Sequence, residues 1–104
     1  MKVQRKTTAK QSTLTLSGDI TIYQVMEARH LLLDETKGLD RKVLLDLQQI
    51  EELDTSGLQL LMMMKRHVEL CGGSLEVVKL SESAAQVVDV LRCREALNVR
   101  EMEA

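Results

Sequence analysis

The chain of 104 residues is 44% hydrophobic and 29% charged, the balance of one folded domain, and residues 1–104 read as a single unit. Aromatic content is 1%, from Tyr23 alone, and the formal net charge is −2. Recognition of nucleic acid is excluded on both counts, since stacking platforms and a basic field are missing.

Residues 12–17 alternate polar and apolar with the period of a half-buried strand, which Gly18 is expected to end. Residues 2–9, with Val3 and a Thr-rich stretch, suit a hairpin partner for it. Over 22–37 the spacing predicts a helix that places Ile22, Val25, Met26, Leu32 and Leu33 near one face. The apolar run 42–47 suits a short strand covered on both faces, with Asp46 at its end. A second helix is expected over 56–71, stopped by Gly72, and a further strand over 74–79. After Ser81, a plausible N-cap, residues 82–92 form a third helix burying Ala85, Val88 and Leu91. Residues 97–104 could add a short helix or strand. The order β-β-α-β-α-β-α predicts an α/β fold, a small mixed sheet of about four strands with helices packed on it.

The stretch from Ile50 to Leu58 (Ile-Glu-Glu-Leu-Asp-Thr-Ser-Gly-Leu) carries the chemical interest, because it joins a strand to the second helix. Free backbone N–H groups and the positive helix end face this loop. Asp54 can cap a helix beginning at Ser56, and a hydroxyl at Thr55 or Ser56 sits where a phosphate would find donors. Read from the residues alone, a capped helix with no further role is the simplest account. The Asp-Thr-Ser-Gly string resembles the aspartic-protease triplet, but Ser56 interrupts it and a helix follows where that fold needs strands. Val43 to Leu47 resembles the strand of a response-regulator receiver, yet Asp19 stands without an acidic pair and Lys79 precedes Leu80 rather than Pro.

The loop is similar instead to the STAS family (sulfate transporter and anti-sigma factor antagonist). Leu53-Asp54-Thr55-Ser56-Gly57-Leu58 resembles its Asp-Ser/Thr-x-Gly-Leu motif, and Gly18-Asp19-Ile20 its Gly-Glu-Leu. Gly72-Gly73-Ser74 resembles the family's start to the last strand, and the likeness spans roughly residues 10–95. The resemblance implies a binding module of the anti-sigma factor antagonist type, phosphorylated at Thr55 (Ser56 as the alternative) by a partner serine/threonine kinase. It implies a docking surface of Asp19, Thr21, Asp54, Thr55, Ser56, Gly57, Leu58 and Met62. Thr21 departs from the pattern, which usually has an acid at that position. Two other STAS contexts stay open: a chemotaxis-associated adaptor, and the unphosphorylated regulatory subunit of a phospholipid-transport ATPase.

The remaining residues point away from catalysis. His30 and His67 lack companions at ligand spacing, and no nucleophile turn or Walker loop occurs. No enzyme activity, metal or cofactor is expected. Cys71 and Cys93 are too few and too distant for a disulfide scaffold. No apolar run approaches a membrane span, and Lys2, Arg5 and Lys6 lead into Thr7 and Thr8 rather than an apolar leader. A cytoplasmic protein is therefore expected. In the second helix Leu60, Leu61, Met64, Val68 and Cys71 form the expected buried stripe, whereas Leu58 and Met62 fall among Lys65, Arg66 and Glu69. Leu58 and Met62 there read either as contact with a neighbouring helix or as an exposed apolar patch beside Thr55, and the patch is the reading carried into the docking surface.

Overall fold

In the computed structural model, which describes residues 1–36 and 41–100, the order is β1 (Lys2–Thr7), β2 (Gln11–Ile20), α1 (Val25–Thr36), β3 (Lys42–Leu53), α2 (Thr55–Leu70), β4 (Ser74–Leu80) and α3 (Glu82–Val90). The sheet order is β1-β2-β3-β4. β1 runs antiparallel to β2, and the pairs β2–β3 and β3–β4 are parallel. This is the expected mixed sheet, with the hairpin strand at one edge.

Period-two alternation places Leu14 and Leu16 of β2, Val43, Leu45 and Leu47 of β3, and Leu75 and Val77 of β4 in the core. Against them pack Ala28 and Leu32 of α1, Leu60, Leu61, Met64 and Val68 of α2, and Ala84 and Val88 of α3. The core is therefore aliphatic, as the composition requires.

Several boundaries differ from the sequence reading. Gly18 does not end β2; it adopts φ +94° within the strand, where the register against β3 shifts, and pairing continues to Ile20. A bulge at glycine bends a strand without terminating it. β3 runs to Leu53, well past the apolar run, so Asp46 is mid-strand and accepts the Gln48 N–H at 2.9 Å. Leu44 is only half-buried, so the sheet is not sealed on both faces there. α1 begins at Val25 and leaves Ile22 and Met26 exposed, while Lys37 lies outside the described residues. α3 ends at Val90 and buries Ala84 rather than Ala85; Leu91 is exposed. Cys71 and Cys93 are half-buried free thiols. Of the tail, Val99 forms a parallel bridge with Val77 and Leu97 is buried, whereas residues 101–104 lie outside the described part.

Candidate docking site

The site forms where the C-terminal ends of β2 and β3 meet the start of α2. Asp54 is the N-cap, and its Oδ1 accepts the Gly57 N–H at 2.9 Å. Its Oδ2 accepts the Ile22 N–H at 2.8 Å, tying the β2–α1 connection to the same helix end. Gly57 makes this approach possible: a Cβ there would lie 2.0 Å from the Ile20 carbonyl oxygen. The helix starts at Thr55, one residue earlier than Ser56.

Thr55 is exposed and Ser56 half-buried, so the first hydroxyl is the accessible one. Neither backbone N–H has an intrahelical acceptor at these first-turn positions. Asp19 is half-buried beside Glu52 in the strand register, with Oδ1 buried and without a hydrogen-bond partner among the described residues. Thr21 is only 9% exposed, and its hydroxyl bonds to the Gln24 side chain. It helps to shape the turn into α1 and also lines the groove that Tyr23 and Asp54 border.

Leu58 corrects the sequence reading. At 2% exposure it is a core residue, as is the neighbouring Gly57, whereas Met62 is 37% exposed. Of the two readings open for this pair, cover by a neighbouring element holds for Leu58 and exposure for Met62. The first turn of α2 is also covered by the β2–α1 connection, which Asp54 and Gly57 hold close.

Sequence reasoning missed the other half of the face. A groove beside Thr55 is lined by Asp54, Gln86, Val87, Val90 and Leu91, so α3 forms its far wall. A second groove joins Tyr23, Glu51, Glu52 and Asp54 to Ser83 and Gln86. Val90 is 79% exposed and Tyr23 89%, with Ile22, Met26 and Leu91 also open. The available signal was the pair Val90-Leu91 running on past the buried positions of α3, and Ile22-Tyr23 before α1.

A family model described as "Mlab, STAS domain" matches residues 3–99. The chain belongs to the STAS domain family. Solved STAS structures share its fold at low identity. An anti-sigma factor antagonist (STAS) domain protein from Planctomyces limnophilus superimposes with a TM-score of 0.77 at 17% identity, covering 97% of this chain and 91% of that one. An anti-sigma factor antagonist from Mycobacterium paratuberculosis gives 0.76 at 13% identity, covering 97% and 86%. The Bacillus cell fate determinant SpoIIAA in its phosphorylated form gives 0.68 at 14% identity, covering 98% and 92%. No curated protein sequence matches the chain. Among the described residues no three His, Cys, Asp or Glu side chains are grouped to hold a metal ion, and no helix is long and apolar enough to cross a membrane.

Proposed function

We propose that this STAS domain is a protein-docking module rather than an enzyme, and that it engages its partner through the face around Thr55 under phosphorylation control. The observation that carries the reading is an exposed hydroxyl at a helix start flanked on both sides by open apolar side chains, Ile22 and Tyr23 on one and Val90 and Leu91 on the other. Met62 extends the same surface: seven residues on from Thr55 along α2, it lies about 10 Å away on the same helix face. Exposed apolar side chains grouped around a polar centre suit a protein contact.

Phosphate on Thr55 would gain about 0.3–1 kcal/mol from the helix end. Asp54 opposes it, since unit charges about 6 Å apart repel by about 0.7–3 kcal/mol at an effective dielectric of 20–80. Thr55 is exposed, so the high-dielectric end of that range applies; the two effects are then comparable, and the fold should tolerate the phosphate. Docking should not, because a dianion of about −1.5 to −2 must be desolvated in a closed apolar interface. Thr55→Glu is expected to fold normally and bind its partner at least about tenfold more weakly, a loss of about 1.4 kcal/mol. Thr55→Ala should keep the fold and abolish phosphorylation. Capture from native lysate with each variant, followed by phosphosite mapping by mass spectrometry, tests this. Phosphate on Ser56 would move the site by one residue.

Membership of the STAS family leaves a second reading open, docking without phosphate in a phospholipid-transport complex. It predicts binding that depends on Thr55 while no phosphate is found there.

A further inference from the structure

The sheet has two edges of different character. Beside β4 the chain closes its own edge: Val77 donates to the Asn98 carbonyl at 3.1 Å, Arg100 donates to the Val77 carbonyl at 2.7 Å, and the Asn98 side chain bonds to the Leu75 carbonyl. β1, the opposite edge, pairs with β2 alone, and among the described residues no other segment bonds to its backbone. Alternate residues of an antiparallel strand turn both N–H and C=O away from their neighbour, so β1 offers a row of unpaired groups.

The charge on this edge is one-sided. Residues 1–18 carry Lys2, Arg5, Lys6 and Lys10 and no carboxylate, so all 16 Asp and Glu residues of the chain lie beyond them. Arg5 faces the helical side, where it meets the Glu35 carboxylate at 4.0 Å. Lys2 and Lys6 point to the other face, opposite Ser17 and Thr13, and neither makes an ion pair among the described residues. Edge lysines discourage pairing between identical strands, so a second copy of β1 is a poor occupant. A bilayer would meet the charge but not the open backbone groups.

We infer that the β1 edge accepts an extended acidic segment of a protein partner, which adds a strand to the sheet and sets carboxylates against Lys2 and Lys6. The two lysines are four residues apart on one face, a span of about 13 Å. A matching strand carries Glu or Asp at that same spacing. Backbone pairing supplies the contact and the carboxylates supply the selectivity. This surface is independent of the Thr55 face.

The test uses the unaltered protein, labelled with nitrogen-15, and the acetylated, amidated peptide Thr-Glu-Val-Thr-Val-Glu-Thr as probe. Supporting results are saturable amide shifts confined to residues 2–7 and their β2 partners, with slowed hydrogen exchange on β1. The same peptide with Lys in place of Glu should bind at least about tenfold more weakly, and so should the acidic peptide to the double variant Lys2→Glu, Lys6→Glu. Three results overturn the inference: no saturable shift on β1, equal binding of the acidic and basic peptides, or shifts at the Thr55 face instead. Perturbation of the same residues by phosphatidylserine vesicles but not by the acidic peptide would also overturn it, in favour of a lipid surface. Should the double variant fail to fold, the contrast between the two peptides on the unaltered protein still decides.

Discussion

Both carboxylate oxygens of Asp54 are engaged by backbone N–H groups 32 positions or three positions away in the chain, so one side chain fastens two connections. Asp54→Ala should destabilise by about 1–3 kcal/mol, combining a lost cap with a lost hydrogen bond to a charged acceptor. Asp54→Asn retains one acceptor oxygen and should recover part of that, as urea melts followed by circular dichroism would show. Half of this role is legible in the residues, because an Asp before Thr-Ser-Gly-Leu is a capping pattern; the bond to Ile22 depends on tertiary approach and has no local signature. Leu58 and Met62 make the complementary test. They look alike on a helical wheel, but Leu58 is buried at 2% exposure and Met62 is open at 37%. Leu58→Ala should cost about 2–5 kcal/mol, whereas Met62→Ala should change stability by less than about 0.5 kcal/mol. Equal effects in thermal melts would contradict the burial of the first turn of α2.

Element order and strand pairing follow from periodicity, whereas element ends depend on neighbours. β3 shows this best. Its first half is an apolar run readable as a strand, but Gln48–Leu53 contains only two apolar residues and stays extended because Gln49, Ile50, Glu52 and Leu53 pair with β2. Pairing to a partner supplies what composition does not, and it carries Glu51 and Glu52 to the rim of the site. α3 ends earlier than its apolar pattern suggests, at a turn where Arg92 has φ 53° and Cys93 donates to the Val88 carbonyl. Just beyond, Arg94 hydrogen-bonds Asp89 and holds its carboxyl below the ordinary Asp range, with their Coulomb attraction acting the same way. A carboxyl with a lowered folded-state pKa contributes stability that is present above its unfolded pKa and lost as pH falls through the folded value. Arg94→Gln should therefore shift the Asp89 titration upward, measured by carbon-13 NMR of the carboxyl. Any stability difference between the two proteins should be present at neutral pH and fade in acid. An unchanged Asp89 titration would show that the pair does not form in solution.

At the scale of the whole molecule the hairpin and the docking face differ in charge. The β1–β2 hairpin carries only cations through residue 18, and the far ends of β2 and β3 collect Asp19, Glu51, Glu52 and Asp54 beside the docking face. A core made without Phe or Trp leaves the chain with one aromatic reporter, and that residue is on the surface: Tyr23 is 89% exposed and borders the groove with Glu51, Glu52 and Asp54. The usual roles of intrinsic fluorescence are thereby reversed. In most small domains a buried aromatic reports unfolding, because its surroundings change from apolar to aqueous. Here unfolding moves Tyr23 from water to water. Quenching of Tyr23 by acrylamide should be nearly the same in the native protein and in concentrated urea, even while circular dichroism records complete loss of structure. Docking should have the opposite effect, since a partner seated across Thr55 covers the β2–α1 connection and shields the ring from the quencher. The complex with a tyrosine- and tryptophan-free partner fragment should show quenching reduced at least about twofold, and Thr55→Glu should restore the free value as it releases the partner. Strong protection of Tyr23 in the free native protein would mean that the apolar flank is already covered, and the face around Thr55 would then be too small to dock a partner as described.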